Sequence, residues 1–152
     1  MQFGFRKGKS TVDAIKNVVE RADKASTKRR QGNRFCGITT LDIKNAFNSA
    51  SWEAIAEALQ GIGVSRPLNQ ILGSYFENRL LLYDTDDGRK EYKVTAGVPQ
   101  GSILGPTMWN IMYDGVLKLN LPRGTKIVGF ADDIVIEVVG QSVEEVETLA
   151  SE

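Results

Sequence analysis

Apolar positions along the chain switch between a helical and a strand period. Ile15, Val18, Val19 and Ala22 recur at helical spacing behind Ser10-Thr-Val-Asp13, a capping-box pattern, and predict an amphipathic helix to about residue 25. Residues 34–43 are mostly apolar or β-branched and predict a central, buried strand that delivers Asp42 at its far end. Asn45–Ala50 turns the chain into a helix that runs from near Ser51 through Ile55 and Leu59 to the Gly61-Ile-Gly63 stop. Pro67 opens another, with Leu68, Ile71, Leu72, Tyr75 and Phe76 expected in the core. Leu80–Tyr83 and Glu91–Thr95 read as two short strands joined through Asp86-Asp87-Gly88, which makes those two acids plain turn residues. Pro106 begins a helix with an apolar set of Met108, Trp109, Ile111, Met112, Val116 and Leu117. Finally, Ser142-Val-Glu-Glu145 caps a helix that the chain abandons within about two turns, as expected of a fragment.

The stretch Ile127–Ile136 stands apart. Two runs of β-branched and aromatic residues meet at Asp132-Asp133, the pattern of a hairpin or tight bend. Adjacent carboxylates at a strand end disfavour each other's ionisation unless a positive group lies on them. A divalent cation supplies that charge, and Asp is the oxygen ligand that Mg²⁺ prefers. The competing reading is an exposed polar turn. Asp42 adds a third acid at a strand end, where unpaired burial of a charge is expensive.

Composition narrows the chemistry. The 152 residues make one domain's worth of chain, with 41% hydrophobic and 25% charged residues, ordinary for a globular protein. There is no histidine, which excludes a His-based triad or a His-ligated zinc. The single Cys36 forms no internal disulfide. No apolar run approaches the roughly 20 residues of a membrane span, and no signal-peptide pattern is present.

Net charge is zero but unevenly spread. Residues 1–34 hold ten Lys or Arg against three acids, and the remainder nine against sixteen, so the two parts carry +7 and −7. A basic arm of this kind suits a polyanion, with a solvated basic loop at Lys28-Arg29-Arg30 as the plainer reading. Within the arm, Gly4 and Gly8 permit close backbone approach or positive φ, and Arg6, Lys7 and Lys9 suit phosphates. Ala96–Pro106 is a shaped loop of three glycines and two prolines whose only polar side chains are Gln100 and Ser102. Three acids, a glycine-rich loop and a basic arm are compatible with two-metal phosphoryl transfer.

Four motifs, in order, closely resemble those of reverse transcriptases: Gln2-Phe-Gly-Phe-Arg-Lys-Gly-Lys-Ser-Thr11, Leu41-Asp-Ile-Lys-Asn-Ala-Phe47, Gly97-Val-Pro-Gln-Gly-Ser-Ile-Leu-Gly-Pro106 and Phe130-Ala-Asp-Asp133. The first, with Asp13-Ala-Ile15 behind it, looks like the non-LTR (LINE-type) retrotransposon branch. The resemblance implies an α+β polymerase palm, an antiparallel sheet backed by the 51–60 and 106–119 helices. Residues 1–34 would be a fingers-like basic segment, residues 35–152 the palm, and the thumb would be absent.

By the same resemblance, Asp42, Asp132 and Asp133 match the catalytic aspartates, with Asp42, the Ile43 carbonyl and Asp132 as metal ligands. The cofactor would be two Mg²⁺ ions, with Mn²⁺ able to substitute. Phe47 matches the aromatic gate under the incoming sugar, Ala46 lies near the triphosphate, and Gln100 and Gly101 match the loop against nucleotide and template. Arg6 and Lys7 would touch template or primer phosphates. Implied partners are an RNA template, a DNA primer, deoxynucleoside triphosphates and the rest of a retrotransposon polyprotein, with no membrane. The implied location is intracellular, in the nucleus or a cytoplasmic ribonucleoprotein. Because the upstream fingers strands and the thumb are missing from the pattern, a truncated element product that only binds nucleic acid or a partner is the alternative. A receiver-type phosphotransfer domain would need parallel βαβ alternation, which the 80–95 hairpin opposes.

Overall fold

The computed structural model describes residues 1–27 and 34–151. In chain order the elements are α1 (Thr11–Thr27), β1 (Phe35–Leu41), α2 (Ala46–Ser49), α3 (Trp52–Gly61), α4 (Arg66–Phe76), β2 (Leu80–Thr85), β3 (Gly88–Lys93), α5 (Leu104–Tyr113), β4 (Thr125–Phe130), β5 (Asp133–Gly140) and α6 (Val143–Ser151). A 3₁₀ turn, Val116–Lys118, follows α5. They form two compact units: Met1–Ile43 with Asp114–Glu152, and Lys44–Tyr113. Among the described residues no helix is long and apolar enough to cross a membrane. The basic run Lys28-Arg29-Arg30 lies outside the described residues.

The first unit is a three-stranded antiparallel sheet in the order β1-β5-β4, with α1 and α6 packed on it. β5 is central because its run Ile134–Val139 finds a ladder on both sides. The strand expected to be central, β1, is instead an edge, and Ile38 and Leu41 are about half exposed. An apolar run reports how a strand's faces are covered, not whether both of its lateral edges are paired. The sequence-predicted cap of α1 is present: Ser10 N–H and Oγ–H both donate to Asp13 Oδ2, at 2.8 and 2.6 Å, and the Asp13 N–H donates back to Ser10 Oγ at 3.2 Å. A small core of Phe3, Ala14 and Val128, joined by Val18, Phe130 and Val135, fixes α1 to the sheet.

The second unit is helical with one exposed hairpin. Ser51 caps α3 by accepting from the Ala54 N–H at 3.2 Å, and Ile55 and Leu59 are buried. Along α4 only Leu72 and Phe76 are buried, whereas Leu68 and Ile71 face solvent despite their predicted place in the core. An 11-residue helix with one packed stripe cannot cover five apolar positions. α5 ends at Tyr113, earlier than its apolar set suggests, so Val116 is exposed. Its buried side chains are Met108, Trp109, Asn110 and Tyr113, with Trp109 stacked between Phe47 (5.7 Å) and Tyr113 (5.4 Å). β2 and β3 pair through the two-residue turn Asp86-Asp87, ahead of Gly88 at φ 107°.

Candidate functional site

The site grows from the register of the first unit's sheet. β4 and β5 pair Phe130 with Asp133, leaving Ala131-Asp132 as a two-residue hairpin loop. β1 and β5 pair Leu41 with Ile134, so the next residues outward on the two strands are Asp42 and Asp133. Both line one cavity of about 510 Å³ between α1 and the sheet, whose other walls include Ile15, Val18, Leu41, Phe130 and Val135. Asp42 and Asp133 are exposed at its mouth, and Asp132, on the turn, is half-buried. Two of the three predicted acids are therefore neighbours across a ladder, and the third adjoins one of them in sequence.

Among the described residues no Lys or Arg pairs with Asp42, Asp132 or Asp133. Like charges gathered without a counter-charge favour a bound cation, and the donors are hard carboxylate oxygens of the kind that hold Mg²⁺ or Mn²⁺. Among the described residues no three acids converge closely enough to enclose an ion alone. A divalent ion held there would need waters or a backbone carbonyl to complete its shell, as Mg²⁺ commonly does. The Ile43 carbonyl, one residue beyond Asp42, is the candidate.

The turn itself is strained and propped. Ala131 has φ 56°, a conformation that costs a residue bearing a Cβ. The Gln2 side chain, 7% exposed, spans it: Nε2 donates to the Ala131 carbonyl at 3.1 Å, and Oε1 accepts from the Ala131 N–H at 3.1 Å and the Gly4 N–H at 2.8 Å. The backbone alongside is laced to β4, with Gly129 N–H donating to the Met1 carbonyl and Phe3 N–H to the Gly129 carbonyl, each at 2.8 Å. Gly4 passes so close that a Cβ there would lie 2.1 Å from Ala131 N. Sequence reading used Gln2 only as part of a motif. No local signal marks it, because its partner Ala131 lies 129 positions away along the chain.

Arg6, a predicted phosphate contact, is half exposed and lies 3.9 Å from Asp114, while Lys7 is exposed on a turn. The predicted nucleotide residues fall in the second unit. Phe47 is half-buried on Trp109, and Ala46 is buried in α2, behind Asn45 at φ 54°. Gln100 and Gly101 are exposed on the loop before α5, Gly101 at φ 83°. That loop is anchored at its base: Trp52 Nε1–H donates to the Gly97 carbonyl at 2.7 Å, and Gly97 N–H to the Ala50 carbonyl at 2.7 Å. Ser102 turns inward, donating to the Pro99 carbonyl at 2.9 Å and accepting from the Gly105 N–H at 2.8 Å. Gln100 is thus the loop's outward polar side chain.

A second polar group escaped sequence reading. Glu137 of β5 is fully buried, with Arg21 Nε 3.6 Å from its carboxylate, and Arg21 also donates to the Gly124 carbonyl at 2.7 Å. Burial pushes the Glu137 carboxyl above its ordinary range, against the opposing pull of Arg21 and then Lys126.

The chain shares its fold with telomerase: the apo enzyme from Candida tropicalis superposes with a TM-score of 0.71 at 13% identity, over 99% of this chain and 29% of that one. The family model for reverse transcriptase (RNA-dependent DNA polymerase) matches residues 1–150, and the chain belongs to that family. It is 35% identical, over 93% of its length, to a 115 kDa protein in the type-1 retrotransposable element R1DM of Drosophila melanogaster. It is 32% identical, over 89% of its length, to the RNA-directed DNA polymerase from mobile element jockey of Drosophila funebris. These place it in the non-LTR retrotransposon branch. The chain spans 13% and 15% of the length of those two relatives.

Proposed function

We propose that this chain carries the palm of an RNA-directed DNA polymerase, adding deoxynucleotides to a primer 3′-hydroxyl against an RNA template. The observation that carries the reading is the β1–β5 register, which sets Asp42 beside Asp133 next to the turn bearing Asp132. Asp42, the Ile43 carbonyl and Asp132 would hold two divalent ions, Mg²⁺ by preference, which when bound would lower the pKa of the attacking hydroxyl and offset charge on the transferring phosphate. Asp42, one residue past β1, and Asp132, on the β4–β5 turn, would orient the reacting groups from one end of the sheet, and Asp133 would add negative charge beside them. Phe47, held by its stack on Trp109, offers a flat, fixed wall against a sugar 2′-hydroxyl. The backbone at Ala46 serves the triphosphate, Gln100 and Gly101 the base pair being formed, and Arg6 and Lys7 the nucleic-acid backbone. The 1–34 segment would act as part of the fingers and the remainder as palm, within a larger retrotransposon polyprotein that works on ribonucleoprotein in the nucleus or cytoplasm.

Primer extension on an RNA template with Mg²⁺ or Mn²⁺ tests this reading, with Asp132→Ala as control and circular dichroism to confirm that both chains are folded. Incorporation by the wild type that disappears in the variant supports it. A folded wild type that binds primer–template without extending it favours the binding-only alternative.

A further inference from the structure

The turn that carries Asp132 is held by a side chain from the far end of the sequence. Gln2 lies 129 positions from Ala131, yet its amide satisfies both backbone groups of that residue. We infer that Gln2 is a positioning residue for the Asp132-Asp133 turn, fixing the carboxylates through Ala131 and so setting the affinity of the acidic site for a divalent cation. The inference rests on the cation reading above.

Four observations converge on it. A two-residue turn with positive φ at an alanine opposes the intrinsic preference of that residue and persists where its surroundings over-determine it. Gln2 supplies that determination: its one carboxamide closes a ring on the Ala131 N–H and carbonyl and takes the Gly4 N–H as well, so that both its oxygen and its nitrogen are used. The Met1–Gly4 backbone cannot drift away, because it is bridged to Gly129 on β4 and Phe3 is buried in the α1–sheet core. Gly4, lacking a Cβ, lets the segment press directly on Ala131. An unpropped turn would leave Asp132 on a freely moving loop tip, and a metal ligand is only as well placed as the groups behind it.

Three variants test the inference. Gln2→Met keeps the length and loses every hydrogen bond. Gln2→Glu keeps both acceptor contacts and loses the donation to the Ala131 carbonyl. Asp132→Ala removes a ligand. Amide hydrogen exchange is followed by NMR, and Mn²⁺ affinity by electron paramagnetic resonance, on the whole chain. Gln2→Met should raise Ala131 exchange about tenfold, the equivalent of one lost hydrogen bond, while Val128 and Val135 keep their rates. It should weaken Mn²⁺ binding about tenfold, the usual effect of losing a group that supports a ligand. Gln2→Glu should restore the protection of Ala131.

Wild-type exchange and Mn²⁺ affinity in Gln2→Met would overturn the inference. So would uniform loss of protection across the sheet in both Gln2 variants, which marks a general packing role. If Asp132→Ala binds Mn²⁺ as the wild type does, the cation reading has failed, and the clamp then stands or falls on Ala131 exchange alone.

Discussion

Asp42 and Asp133 stand opposite one another at the open end of the β1–β5 ladder, one position beyond the Leu41–Ile134 pair. No cation among the described residues pairs with either, so the sheet ends in an uncompensated acidic pair at the mouth of a cavity lined by apolar side chains. A divalent ion bound at this pair would stabilise the fold.

That stabilisation should appear as linkage. At a free Mn²⁺ concentration of 100 times its dissociation constant, a ligand that binds only the folded state adds about 2.7 kcal/mol. The thermal midpoint of the wild type should climb with MnCl₂ and fall back on chelation. Asp42→Asn and Asp132→Asn should abolish the dependence, and calorimetry checks both.

Gly4→Ala probes the approach of the N-terminal segment to the turn. The new Cβ would meet Ala131 N at 2.1 Å and Ala131 Cα at 2.7 Å, both backbone atoms that cannot step aside. A cost of about 1–3 kcal/mol in urea unfolding is expected, the usual range for overpacking. Gly8→Ala has no neighbour to strike, although its φ of 71° also disfavours a Cβ. It should cost less.

Glu137 makes the stability of the sheet pH-dependent in a particular direction. Its folded pKa lies above its ordinary value of 4.5, so between those two values the folded state holds more protons than the unfolded one. Its contribution therefore falls as pH rises through that window and levels off above it. Measured by urea unfolding, the stability of the wild type minus that of Glu137→Gln should decline with rising pH from about 4.5. A difference that grows with pH would contradict the assignment.

Trp52→Phe removes the donor to the Gly97 carbonyl while keeping a ring to stack on Phe76, whose centroid lies 5.3 Å away. A loss of about 1 kcal/mol is expected from the hydrogen bond. Faster amide exchange at Gly97 and Val98, whose N–H groups donate to Ala50 and Phe47 carbonyls, would show that the loop base has loosened.

Local signals explain what was readable beforehand. The Ser10–Asp13 box, the helix start near Ser51, the Asp86-Asp87 turn and the Asp132 hairpin each depend on residues a few positions apart, and each is present as predicted. Strand order is different, because β1 carries an apolar run suited to a central strand and yet sits at an edge, and nothing within residues 34–43 encodes who lies alongside. The same holds for Leu68 and Ile71, apolar but uncovered. Gln2 and Glu137 were invisible for a related reason. A buried polar side chain is stable only with partners, and theirs, Ala131 and Arg21, lie over 100 residues away along the chain. Of the site, the three acids were legible; the group that props them was not.

The most direct measurement is paramagnetic broadening of backbone amide signals by substoichiometric Mn²⁺. The account predicts that Asp42, Ile43, Asp132 and Asp133 broaden together at the same low Mn²⁺ concentration, ahead of Asp86 and Asp87 on their exposed turn, and that Asp132→Asn removes the effect at Asp42. Broadening that reaches the Asp86-Asp87 turn as readily as the strand ends, or that leaves Asp42 untouched while affecting Asp132, would contradict a shared cation site.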